Sequence, residues 1–118
     1  MRLVEHGRKT CDRQIRRFGG RGYLRRSGVD RPCIVGIIDY KPGERGLVND
    51  GSRRALVSAL DPDTGAVLAQ PPDHEQDLLV FAGEVMRIVA PVTGPRTTGS
   101  TEAILYECEV QYDSPDAS

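Results

Sequence analysis

From Tyr23 onward, apolar residues come only in short runs, and each run is closed by a cluster of turn-forming residues. The clusters are Ser27-Gly28, Lys41-Pro42-Gly43-Glu44, Asn49-Asp50-Gly51, Asp61-Pro62-Asp63-Thr64-Gly65, Pro71 to Gln76, Ala82-Gly83-Glu84 and Pro91 to Ser100. Gly tolerates positive φ, Pro presets φ, and Asp or Asn bonds its own backbone, so each cluster reverses the chain for a different physical reason. A chain interrupted this often has room for strands but not for long helices.

The runs between the clusters carry strand character. Tyr23 to Arg26 is short and extended. Pro32 to Tyr40 holds the β-branched pairs Ile34-Val35 and Ile37-Ile38. Ser52 to Leu60 alternates, with Ala55, Val57 and Ala59 on one face. Asp77–Phe81 and Val85–Val89 flank a Gly-containing turn and form a hairpin. Ile104–Tyr112 alternates again, and Asp113 to Ser118 is expected to fray. Before all of these, residues 2–18 place Leu3, Val4, Gly7, Cys11, Ile15 and Phe18 three or four apart, the helical period, ahead of a Gly19-Gly20 stop. The apolar stripe is thin, so this helix needs a surface to lie on. The expectation is one domain over 1–118, mainly β. It consists of a small antiparallel β-barrel or sandwich of about six strands over 22–112, preceded by the helix 2–18 and followed by a frayed tail 113–118.

Composition narrows the function. Trp is absent and aromatics are 5% of the chain, which argues against an aromatic-lined pocket or a base-stacking platform. No apolar run approaches the roughly 18–20 residues of a membrane span, and Met1 to Thr10 is charged where a secretory leader would be apolar. Cys11, Cys33 and Cys108 form no CxxC pair. Their odd number and wide spacing fit a reducing compartment, with Cys33 and Cys108 as small buried apolar side chains. The net charge of −1 conceals a division. Residues 1–60 hold 14 Lys or Arg against 6 Asp or Glu, and residues 61–118 hold 2 against 11. Either the halves neutralise each other within one domain, or a basic face of one subunit meets an acidic face of the next.

The motifs that would carry chemistry are each incomplete. Phe18-Gly19-Gly20-Arg21-Gly22 lacks the Gly-Lys-Ser/Thr of a phosphate loop and follows a helix instead of a strand. Asp61-x-Asp63-x-Gly65 opens like a calcium loop, but the position of its bidentate Glu is Pro72. His74 lies among Asp73, Glu75 and Asp77, yet the other histidine is His6, far away in sequence. No nucleophile, base and orienting group are suggested by spacing. We therefore expect no catalytic residues, no metal and no cofactor. What remains is arginine: Arg13, Arg16, Arg17, Arg21, Arg25 and Arg26, with Arg53 and Arg54 as a second pair. Arg16, Arg17, Arg25, Arg26, Arg53 and Arg54 are candidate subunit or partner contacts. Phosphate contact and plain solvation are the alternatives.

Asp77 to Pro91, followed by Ala103-Ile104-Leu105-Tyr106-Glu107-Cys108-Glu109-Val110, resembles the C-terminal half of small neck proteins of tailed phages, the head-closure (stopper) and head–tail connector family. The helix leading into Arg17-Phe18-Gly19 and then Leu24-Arg25-Arg26 is similar as well. The chain departs from the pattern at Met86, where an aromatic is common, and over Ser52–Gln70. Stopper, joining and tail-proximal positions in the neck are all compatible with it. The resemblance implies a virion protein forming a homo-oligomeric ring, with portal or adaptor on one side and tail protein on the other. Double-stranded DNA would pass through the lumen, and no membrane is involved. A loop projecting into that lumen would act as a gate, and Lys41, Pro42, Gly43, Glu44, Arg45 and Gly46 are the candidate segment. The alternative from a different class is a small nucleic-acid-binding β-barrel. On the first reading, shortening Lys41–Gly51 leaves particle assembly intact but lets packaged DNA leak. Unchanged DNA retention in such particles would exclude the gate.

Overall fold

In the computed structural model, which describes residues 2–39, 53–94 and 103–116, one helix lies against a closed six-stranded antiparallel barrel. The helix α1 is Arg2–Phe18, and the strands are β1 Gly20–Arg26, β2 Val29–Asp39, β3 Arg53–Ser58, β4 Leu78–Phe81, β5 Glu84–Ile88 and β6 Leu105–Pro115. Around the barrel they run β1-β2-β3-β6-β5-β4, and β4 pairs back to β1. Closure leaves no free sheet edge along the paired segments, which is the usual solution for a small all-β domain.

Both tight hairpins use the same turn chemistry. Ser27-Gly28 (φ 53° and 79°) joins β1 to β2, and Ala82-Gly83 (φ 55° and 78°) joins β4 to β5. Two consecutive positive φ values match the right-handed twist of the flanking strands. The second turn is therefore two residues long, and Glu84 belongs to β5 instead of the loop.

Alternation fills the interior. Leu24, Cys33, Val35, Ala55, Val57, Leu79, Met86, Ile88, Cys108 and Val110 form one buried cluster with no tryptophan or phenylalanine in it. The segment 59–77 leads from β3 to β4, which stand on opposite sides of the barrel. On the way it lays Leu68 against the cluster. At a mouth of the barrel the inward alternation ends in charge: Arg53 precedes Ala55 and Val57, Glu84 precedes Met86 and Ile88, and the two pair at 3.5 Å.

Helix α1 lies mainly over β2 and β3. Ile15 is buried, and the buried Ser58 donates to Asp12 Oδ1 at 2.6 Å. Phe18 does not complete the apolar stripe as its spacing suggests. Its ring rests on Gly36 and stays 50% exposed, while Arg8 is buried in its place and donates to the Ala103 carbonyl at 3.1 Å. Two boundaries also differ from the sequence expectation. The barrel begins at Gly20, because Gly20, Arg21 and Gly22 pair with Val35, Ile34 and Cys33. The segment from Asp113 is not frayed through Asp116: Val85 pairs with Ser114 after a bulge, Glu84 with Pro115, and the Asp116 N–H donates to the Gly83 carbonyl at 2.9 Å.

The helix-to-barrel junction depends on close backbone approach. A Cβ at Gly19 would collide with the Val35 carbonyl oxygen and lie 2.7 Å from the Gly36 Cα, whereas one at Gly20 would meet nothing within 4 Å. Backbone cannot step aside as a flexible side chain can. Gly19→Ala is expected to destabilise the fold by about 1–3 kcal/mol, and Gly20→Ala by less than about 0.5 kcal/mol, as read by denaturant unfolding of the two variants side by side.

Candidate functional site: the arginine–carboxylate network

The arginines picked out by sequence separate into two groups. On the barrel they face carboxylates, mostly from the other half of the chain. Arg26 donates to Asp77 through Nε (2.8 Å) and Nη2 (3.0 Å), and Arg31 donates to the same carboxylate at 3.0 Å and to the Gln70 carbonyl at 2.9 Å. Arg25 forks onto Asp30 at 2.6 and 3.1 Å and reaches Asp116 at 3.5 Å. Arg53 meets Glu84, and Arg54 meets Glu107, both at 3.5 Å. Arg21 holds Asp63 at 2.7 and 3.1 Å and lies 5.8 Å from the centroid of the Tyr23 ring. On α1 the pattern is different. Arg16 pairs with Asp12 one turn away at 2.8 Å, while Arg13 and Arg17 are exposed and form no ion pair among the described residues.

Asp77 is the deepest of these groups. Its side chain is 0% exposed, and its carboxylate accepts four hydrogen bonds: three from Arg26 and Arg31, and one from the Asp73 N–H at 2.9 Å. A carboxylate has about four acceptor sites, so all are filled. Burial alone would raise this carboxyl. The Arg26 hydrogen bonds, the Asp73 N–H and the nearby guanidinium charges outweigh burial and hold it below its ordinary value. Asp63 is lowered as well, mainly by its hydrogen bonds from Arg21, but that pair is open to solvent and contributes little.

The remaining groups are poor candidates for chemistry. Ser58 is fully buried beneath α1 and its hydroxyl is committed to Asp12. Burial pushes the thiols of Cys33 and Cys108 up to about 12 and also raises Cys11, which removes thiolate character. The Asp61 Oδ1 accepts from the N–H groups of Asp63 and Thr64 at 2.8 and 3.4 Å, so this Asp caps its own turn. His74 stands 3.9 Å from Asp73, on the rim of an open hollow of about 550 Å³ beside Asp77, Arg87 and Val89. Among the described residues no three His, Cys, Asp or Glu side chains gather as a metal site requires. No helix among them is long and apolar enough to cross a membrane. The gate segment Lys41 to Gly46 lies outside the described residues.

Asp77 and Arg31 were not found from sequence: Asp77 reads there as the start of a strand, and Arg31 is not among the arginines singled out. Neither sits in a motif. The one signal for Asp77 was its position at the edge of a polar break, next to a strand of four apolar residues.

Comparisons with protein-family models, with curated proteins and with solved structures found nothing that matches this chain.

Removing the Asp77 charge leaves two guanidinium groups facing each other at the barrel seam. Asp77→Asn is expected to cost about 2–4 kcal/mol of stability near neutral pH. The folded carboxyl binds its proton less readily than the unfolded one. The contribution of Asp77 is therefore complete above the usual carboxylate range and is lost as pH falls through the lower folded value. Denaturant unfolding from neutral to acid pH should show the wild-type curve converging on that of D77N. Parallel curves over the whole range would contradict the assignment.

Proposed function

We propose that this chain is a non-catalytic structural connector in the neck of a tailed phage, prophage or phage-derived particle. Its copies form a ring that retains packaged double-stranded DNA. One side of the ring faces the portal or adaptor protein, and the other offers a docking surface to the tail. The observation that carries this reading is where the resembling segments fall. Residues 77–91 and 103–110 supply β4, β5 and the first half of β6, one continuous wall of the barrel, so the resemblance covers a structural unit and not scattered turns. The chemistry agrees with it: Ser58 is buried, and the thiols of Cys33 and Cys108 are buried with raised pKa values.

A second reading, a small nucleic-acid-binding barrel, is favoured by one feature: the exposed Arg13 and Arg17 on α1. Against it, the barrel arginines are already engaged by carboxylates of the same chain, which leaves few to neutralise phosphates.

The experiment that separates the two is deletion and complementation in the particle, together with duplex binding by the purified chain. On the connector reading, heads made without the protein fill with DNA and then lose it, and tail-bearing particles fall at least about tenfold. The purified chain binds portal–adaptor assemblies and binds free duplex only weakly. Normal particle yield and DNA retention would overturn the connector. Tight duplex binding with a steep salt dependence, lost in R16E/R17E, would put the second reading in its place.

A further inference from the structure

The closed strand order determines which parts of the surface face away from each other. In the ring β1-β2-β3-β6-β5-β4, β5 stands across from β2, and β4 across from β3. Helix α1 covers the β2–β3 wall, fastened by Asp12 on Ser58 and by Phe18 on Gly36. The β4–β5 wall is thus on the far side of the subunit from the helix.

These two walls differ in chemistry. His6, Lys9, Arg13 and Arg17 recur every three or four residues along the exposed side of α1, so they form a single ridge. Phe18, half exposed at the end of α1, lies off that ridge with its ring on Gly36. An open groove of about 710 Å³ is lined by Leu78 of β4 and Val85 of β5, between the β1–β2 turn on one side and the end of β6 on the other. Its charged lining is three carboxylates, Asp30, Asp113 and Asp116, against one guanidinium, Arg25, and Asp113 is also paired at 3.5 Å with the exposed Arg87 of β5. Arg25 is itself held between Asp30 and Asp116. Val29 (63% exposed), between Gly28 and Asp30 of the groove lining, adds apolar surface beside it.

We infer that the α1 ridge of one copy docks in the β4–β5 groove of a second copy of this chain. The inference rests on the homo-oligomeric part of the connector reading and specifies the contact. The complementarity is between opposite charges. Because the two patches are different and lie on opposite walls, the contact is heterologous and repeats from subunit to subunit. A two-fold contact through either patch alone would bring like charges together.

The test uses the full chain and two charge-reversed variants, R13E/R17E on the ridge and D30K/D113R on the groove. Self-association is measured by analytical ultracentrifugation across concentration and salt. Wild type should associate, and more weakly as salt rises. Each variant alone should associate at least about tenfold more weakly. An equimolar mixture of the two should recover association to within about threefold of wild type, because an acidic ridge then meets a basic groove and a native ridge meets a native groove. The milder pair R17Q and D113N, which leaves the fold least disturbed, should weaken association and flatten its salt dependence. A wild-type chain that stays monomeric throughout would overturn the inference. So would a variant that associates like wild type, or a mixture that fails to recover. Association that appears only on adding duplex DNA would assign the ridge to nucleic acid and also overturn it. If wild type associates but the variants do not alter it, the contact is wrong while the ring stands. The connector itself is decided separately, by the particle experiment.

Discussion

The carboxylate of Asp77 ties the end of β1, the start of β2 and the loop before β4 to one another. It is buried, its four acceptor positions are filled, and its donors come from the end of β1, from β2 and from the loop that precedes β4. Its place in the topology explains why this matters. The barrel closes between β1 and β4 through three residue pairs, and Arg25 opposite Leu78 is one end of that seam. Arg26 and Asp77 are the next residues along, so the buried ion pair continues the seam where the ladder stops. A buried charge is tolerated only when it is fully partnered, and here the partnership is also the closure of the sheet.

The same topology accounts for the division of charge along the chain. β1, β2 and β3 make one arc of the barrel, and β6, β5 and β4 make the other. The basic half of the sequence thus forms one arc and the acidic half the other, and the arcs meet at two seams. Arg54 with Glu107 lies at the β3–β6 seam, Arg26 with Asp77 at the β1–β4 seam, and Arg53 with Glu84 spans a barrel mouth between the arcs. Neutralisation inside one domain is therefore a large part of what the charge pattern does. What it leaves over is positional: a cationic ridge on α1, and a groove on the opposite wall whose carboxylates outnumber its arginine.

Legibility in the sequence followed the range of the interactions. The helix 2–18, the hairpin at Ala82-Gly83, the burial of Cys33 and Cys108 and the mainly β class were all readable, because capping glycines, turn residues and alternation act over a few positions. The start of β1 was missed. Gly20 and Gly22 read as a loop, but they pair with Val35 and Cys33, and at Gly22 glycine permits the close approach of Val80, which is a requirement of the partners and not of the segment itself. The end of β6 was missed for a related reason: Ser114 and Pro115 have little strand preference, and their pairing with Val85 and Glu84 holds them. Arg8 and Phe18 exchanged their expected roles because Gly36 offers a shelf for the ring, and the Ala103 carbonyl offers an acceptor for the guanidinium.

By itself the sequence determined the class of the fold, the position of the helix, the two tight turns and the excess of arginine in one half over carboxylate in the other. Those are local or additive properties, and no neighbour in space can alter them. Only the tertiary structure decided that the sheet closes, that Asp77 is the residue on which closure rests, and which arginines are engaged and which stand on an open ridge. These outcomes depend on groups dozens of residues apart coming within about 3 Å, a distance at which charge and hydrogen bonding act and which no pattern along the chain encodes.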